Sequence, residues 1–410
     1  MSQSALSKEL SASLLLDPAV VADPYAFYRR LVAETPVWRI PGTDIVLVTS
    51  FAAVTEAANR VADFSSTLHG IVYRADDGTP AVMPFDTGGM DALATADPPV
   101  HSRHRGAVFP ELVARRMATM RPDVEQLAEN HIDACLARGH VEFMHDVANA
   151  VPIRVVTDLI GFANADPDML LTAAFESTAT MAGTQTRDEV GVRMGNSMLS
   201  LGWITDQVSA STPDTPGLLG ATATAIASGD LTELEAIVII QTLLSAGGES
   251  TTSLLGNAVA QLATDEAFQT QLREKPELVT PFVEEMLRLE SPFRYHLRHA
   301  TQDTELLGTP VPAGATVLLM WGAANRDPAV YEHPDEVVLD RASPRHHLGF
   351  GRGIHLCVGA PLARLEADVV LRCVLARTAS FALDPSDPPE RESSLMVRRF
   401  RRLPLVVSAA

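Results

Sequence analysis

The sequence predicts a mainly α-helical protein with small β-sheets. Three observations carry that reading. Helical periodicity dominates residues 98–290, and within them TELEAIVIIQTLLSAGGESTTSLLGNAVAQLA, 232–263, is apolar almost all round near its centre, the pattern of a buried helix. Strand signals are confined to short β-branched runs: DIVLVTS near the start, and TELLGTPVPAGATVLLMW, which reads as a strand, a turn and a second strand. No linker of low complexity, internal repeat or composition break interrupts this order, although 410 residues would by length alone suggest roughly two to three domains.

The elements follow in order. Residues 1–64 mix short helical patterns with the DIVLVTS strand, and 65–96 carry glycines and polar residues without clear periodicity, so a long loop is expected there. DPPVHSRHRGAVF opens a helix at a proline pair, and RMATMRPDVEQLAENHIDACLARGH is amphipathic. Thr232 and Glu235 are spaced for a capping box at the start of the long helix. At ~1.5 Å per residue that helix, if continuous, crosses a whole domain. The Pro-rich AANRDPAVYEHPDEVVLDRASPRHH has little periodicity; it leads into FGRGIHLCVGA and a closing helix, PLARLEADVVLRCVLART.

Net charge is −19 and Lys8 and Lys275 are the only lysines, an acidic balance that excludes general nucleic-acid binding, which needs a basic face. The three cysteines, Cys135, Cys357 and Cys373, lie far apart, offer no disulfide framework and suit a reducing compartment. MSQSALSKELSASLLLDPAV lacks a basic start followed by a long apolar run. A cytoplasmic protein without a membrane span is expected.

Chemistry concentrates in three places. Cys357 precedes a helix whose first turn suits Pro361, so unpaired N–H groups there favour a thiolate; Gly359 lets them reach the sulfur, Gly351 and Gly353 let the preceding turn lie flat against a planar ligand, and Phe350 would shield the sulfur. A zinc site from His346, His347, His355 and Cys357 lacks the paired C-x-x-C spacing of such sites. In the long helix, Gly247 and Gly248 precede Glu249, Ser250 and Thr251. Either the helix opens there to admit a small molecule to which these side chains pass protons, or the glycines serve close helix packing and Glu249 is solvated. Glu285 and Arg288, three apart in EEMLR, can pair on one helical face, alone a weak signal.

Together these stretches resemble the cytochrome P-450 family of haem-thiolate monooxygenases, in its soluble bacterial branch. FGRGIHLCVG fits the family's F-x-x-G-x-x-x-C-x-G, AGGEST its [AG]-G-x-[DE]-T-[TS], EMLR its E-x-x-R, and DPPVHSRHR its D-P-P-x-H-x-x-x-R; the likeness runs from DPYAFYRRL to RRLPLVV. It implies one domain over 1–410: a triangular prism with haem b between the long central helix and the cysteine-loop helix. It makes Cys357 the axial iron ligand, and His101, Arg105, Arg298 and His355 partners of the haem propionates. Phe350, Gly359, Ala246 and Gly247 would line the cofactor. Glu285, Arg288 and Arg341 would form a structural triad, Gly247 and Gly248 bound the oxygen pocket, Glu249 link it to solvent, and Ser250 sit beside dioxygen with Thr251 next to it. The family usually has threonine where this chain has Ser250. A serine keeps the hydroxyl without the methyl that restricts its rotamer, so looser proton delivery and more leakage to peroxide are expected.

The resemblance further implies a hydrophobic organic substrate, held by Val72, Met83, Phe85, Met181, Thr242, Ser245, Phe293, Met396 and Val397. Arg294, Tyr295 and His296 either orient a polar group or face away. With no flavin or iron–sulfur region in the sequence, electrons are expected from a separate ferredoxin and its reductase, docking at Arg345, Arg352 and Arg364. A peroxide-driven oxygenase and a non-enzymatic haem sensor are the rival readings.

Overall fold

The computed structural model describes residues 9–85, 91–138 and 140–410. Its axis is a helix of 31 residues, Glu233–Ala263, entered through the expected capping box: Thr232 accepts from the Glu235 N–H while the Glu235 carboxylate accepts from the Thr232 N–H. From Thr251 to Ala260 every residue is buried, and polar ones find internal partners: Thr252 donates to the Ala148 carbonyl, Ser253 to that of Glu249 and Asn257 to that of Arg398. The helices Ala150–Ile160, Pro167–Ala179, Arg187–Ala210 and Ala360–Arg377 pack around it.

The long helix stays regular through Gly247 and Gly248. A Cβ on Gly247 would lie 2.8 Å from Val156 Cγ2, and one on Gly248 would lie 3.1 Å from Ala174 Cβ. Of the two readings left open by the sequence, close packing against neighbouring helices is therefore what this pair of glycines serves, and the helix does not open.

A five-stranded sheet lies to one side, in the order Val37–Arg39, Ile45–Val48, Thr316–Leu319, His296–Ala300, Phe64–Ser65. All its pairings are antiparallel except that of Ile45–Val48 with Thr316–Leu319. Two expectations need correction. TELLGTPVPAGATVLLMW forms three strands: Thr304–Leu306 and Thr309–Val311 make their own hairpin around Leu307 and Gly308, both at positive φ, and Thr316–Leu319 leaves to join the large sheet. The expected loop at 65–96 contains a hairpin of Gly70–Arg74 with Pro80–Pro84, followed by a short turn at Leu93–Thr95; residues 86–90 lie outside the described residues. Among the described residues no helix is long and apolar enough to cross a membrane.

Two buried carboxylates fasten the segment between the sheet and the cysteine. Glu285, 1 % exposed, takes Arg288 Nε at 2.8 Å and Nη2 at 2.9 Å, Arg341 Nε at 3.0 Å and the Val338 N–H at 2.9 Å. The pair that was by itself a weak signal in the sequence lies inside a buried network. Its neighbour Glu284, unnoticed in the sequence, accepts from Arg364 at 2.7 Å and shares a hydrogen bond with His347 at 2.9 Å. Burial opposes its ionisation, but the hydrogen bonds from His347 and Arg364 prevail and hold its carboxyl down at about 2.

Glu366, in the helix Ala360–Arg377, is the opposite case. It is buried, its Oε2 has no hydrogen-bond partner among the described residues, and burial pushes its carboxyl well above the usual range. A folded-state pKa above the unfolded one contributes stability that is present at acid pH and lost as pH rises through the folded value. Glu366→Gln should therefore gain stability over wild type progressively toward alkaline pH, with little gain in acid; urea midpoints measured across that range check it.

Candidate functional site

The cysteine loop is a tight turn. The Cys357 N–H donates to the Phe350 carbonyl at 2.9 Å and the Gly351 N–H to Leu348 at 2.9 Å, with Gly351 and Gly353 both left-handed at φ +72° and +73°. A Cβ on Gly353 would stand 2.8 Å from the Ala58 carbonyl oxygen, so this loop is pressed onto the helix Phe51–Asn59. Cys357 as a residue is exposed and lies immediately before the helix Ala360–Arg377, with Pro361 in its first turn and its sulfur crowded by surrounding protein. Burial of the sulfur within surrounding protein raises its pKa; the backbone N–H groups of Gly359 and Ala360, and then Arg105 and Arg364, pull it back.

Beside the loop lies a cluster of donors. The His355 and His101 rings sit 4.4 Å apart, His355 Nε2 is 2.9 Å from Ser66 Oγ, and Arg105 Nη1 donates to the Leu356 carbonyl at 3.0 Å. Arg298 is 7 % exposed, and among the described residues its side chain hydrogen-bonds only the Leu297 carbonyl, at 2.7 Å. Burial brings its pKa down to about 10, weakly opposed by Asp97, and burial followed by Arg298 and His101 brings His355 down to about 3. A buried cation without a carboxylate in contact is costly unless an anion joins it.

On the long helix Ala246 is exposed and Gly247 and Ser250 partly so, while Glu249 on the next flank is 1 % exposed. Ser250 Oγ donates to the Ala246 carbonyl at 2.7 Å, which fixes the hydroxyl against the helix. Glu249 accepts from Arg399 Nε at 2.7 Å and from Thr178 Oγ1 at 3.1 Å. Burial nevertheless raises its pKa, with Arg399 the main opposing charge. Thr251 is buried, one residue further from the open face.

The model of the Cytochrome P450 family matches residues 218–399 of this chain. Cytochrome P450 144 of Mycobacterium tuberculosis is 42 % identical over 391 residues, 94 % of this chain and 89 % of its own length. The chain belongs to the cytochrome P450 family. A beta-dihydromenaquinone-9 omega-hydroxylase of the same organism is 32 % identical, across 96 % of this chain and 78 % of its own. Among solved structures, that of Mycobacterium smegmatis CYP164A2 in its ligand-free state superposes with a TM-score of 0.85 at 28 % identity, covering 96 % of this chain and 98 % of the other. The protein has the P450 fold and is a haem-thiolate monooxygenase.

This P450's own residues fit a haem. Cys357 offers a sulfur backed by two N–H donors, and the Arg298 cluster offers buried positive charge suited to two propionates. Rivals for these side chains fall away. His347 is taken by Glu284, and among the described residues no group of His, Cys, Asp and Glu is placed to hold a metal ion.

Other expectations divide. Val72, Met396 and Val397 are buried in one apolar cluster with Met181 and Phe293 against it, and Phe293 bridges to Val397. Met83 and Phe85 end the hairpin strand nearby, partly buried. Thr242 bonds back to Val238, and Ser245 is turned into the protein, accepting from Gln241. Arg294 donates to the Val21 carbonyl and Tyr295 to that of Met181, so both face inward; only His296 stays partly exposed. Of the three arginines expected to dock a partner, Arg364 is committed to Glu284 and stacks on Phe350 at 4.5 Å, while Arg345, 3.4 Å from Glu284, and Arg352 are both exposed. Arg399, Ser66 and Glu284 were missed. Only Arg399 left a trace, as part of the basic run RRFRR in an acidic chain.

Proposed function

We propose that this P450 inserts one oxygen atom of dioxygen into a hydrophobic organic substrate, using haem b and electrons passed from a ferredoxin by way of its reductase. The reading is carried by two features together: Cys357 at its N–H donors, and a long-helix face that presents Ser250 beside the buried Glu249. When bound through the Cys357 thiolate, the haem supplies dioxygen activation, with the sulfur favouring O–O cleavage. In this assignment His101, Arg105, His355 and Arg298 hold the propionates, and Glu285, Arg288 and Arg341 keep the cysteine side rigid. The second oxygen atom leaves as water, which demands protons. Ser250 presents a hydroxyl at the open face, and Glu249 supplies an acid whose proton is held more tightly than in water.

The apolar cluster of Val72, Met181, Phe293, Met396 and Val397 supports a hydrophobic substrate, as does the beta-dihydromenaquinone-9 in the name of the hydroxylase relative. Three unpaired cysteines accord with the cytoplasm. One haem-thiolate unit covers the chain in this reading, and the Glu249 and Ser250 pair favours dioxygen over peroxide as oxidant. Reduced protein under carbon monoxide is expected to show the strongly red-shifted Soret band of thiolate ligation. Turnover with NADH, ferredoxin and reductase should exceed that with peroxide. A band at the histidine-ligated position would overturn the assignment of Cys357, and turnover that proceeds with peroxide but not with NADH, ferredoxin and reductase would overturn that of the partners.

A further inference from the structure

Resting on the haem assignment above, we propose that His296 is an additional donor to the haem carboxylates, held by Trp321 in the tautomer that carries its proton on Nε2. The decisive contact is Trp321 Nε1 to His296 Nδ1, 2.7 Å. An indole N–H can only donate, so Nδ1 is the acceptor and the ring proton of the neutral imidazole lies on Nε2. Among the described residues nothing hydrogen-bonds Nε2.

The strand decides where this donor stands. His296–Ala300 pairs with Thr316–Leu319, with His296 opposite Leu319, two residues before Trp321. Alternation along a strand puts His296 and Arg298 on the same face. His296 acts electrostatically on His355 and is acted on by Arg298, so the three share one site. The Phe293 ring meets the imidazole edge-on, centroids 5.7 Å apart and planes at 82°, which fixes the ring from its other side. Burial lowers the His296 pKa to about 4, so the ring stays neutral at neutral pH and adds a donor where Arg298 already supplies charge. A carboxylate is the acceptor such a surrounding selects. A neutral substrate oxygen would gain less from Arg298 and His355.

The test uses the purified holoenzyme and follows haem transfer to excess apomyoglobin. Glutamine places an amide nitrogen where the imidazole has Nε2, whereas asparagine mimics the Nδ1 side. His296→Leu and His296→Asn should release haem about tenfold faster than wild type, the loss of one charge-assisted hydrogen bond, while His296→Gln stays near wild type. Trp321→Phe, which keeps His296 but frees its tautomer, should fall between them, and it carries the test if position 296 tolerates no change. Wild-type release rates in the leucine and asparagine variants, or in Trp321→Phe, overturn the proposal. Equally fast release from the glutamine variant also overturns it, because that would mark a packing role. Each sample's carbon monoxide spectrum is recorded first. A wild type without the thiolate band refutes the haem-thiolate assignment, and a wild type with it leaves the release rates to judge His296.

Discussion

Arg288→Ala is expected to prevent folded holoprotein from accumulating. The guanidinium is 1 % exposed and every N–H is used: Nε and Nη2 on Glu285, Nη1 on the Asn325 and Pro334 carbonyls, Nη2 again on Glu336. Removing it leaves the Glu285 carboxylate buried with Arg341 as its remaining cation and deprives three backbone carbonyls of their donor. Breaking a buried pair from one side costs about 3–5 kcal/mol, against a total stability of about 5–15 kcal/mol. Arg288→Lys should fare little better, since an ammonium cannot span carboxylate and carbonyls in a planar fork. Arg341→Ala should be milder, about 1–3 kcal/mol, because that side chain is 12 % exposed and water can replace part of it. Purified yield and urea midpoints establish the order. An Arg288→Ala protein with a midpoint near that of wild type would show that the network is incidental to folding.

This network also marks how far the sequence could be read. Glu285 and Arg288 were visible as a pair because they are three residues apart on one helix. Their burial was not, because it is made by carbonyls at 325, 334 and 336, contributed by a stretch with no periodicity of its own. The cysteine turn was legible for a local reason. Gly351 and Gly353 require left-handed φ, and a glycine requirement is written into the sequence at the residue that needs it. The two glycines of the long helix carried no such signature, since Val156 and Ala174, which crowd them, come from other helices. In the hairpin at 70–84, the alternating IVY and AVM runs and the Asp77-Gly78 turn were present but hidden by the glycines and polar residues around them. Partnership between Glu249 and Arg399, 150 residues apart, could come only from the fold.

That partnership governs the second large effect. Glu249→Gln keeps the shape and one acceptor oxygen for Arg399, with its amide NH2 turned toward the Thr178 hydroxyl, but it has no acid proton to give up. Since positioned acids and bases contribute about 10²–10⁴ in rate, kcat should fall at least about 100-fold with KM for substrate little changed. The solvent isotope effect should rise and more peroxide should form per NADH consumed, because reduced oxygen waits longer for its proton. Arg399→Gln tests the electrostatics separately. Burial already raises the Glu249 pKa and Arg399 is the chief charge opposing that rise, so removing the cation should raise it further. The pH at which the Glu249 limb of the rate profile appears should then move upward in Arg399→Gln and disappear in Glu249→Gln. If Glu249→Gln turned over at the wild-type rate with an unchanged isotope effect, protons would have to reach the Ser250 hydroxyl by a route that bypasses this carboxylate. The buried Glu249–Arg399 pair would then be a fastener between the long helix and the strand Phe400–Arg402 that follows Arg399. In that case both variants would lose stability without any shift in the rate profile, an outcome that separates the two roles.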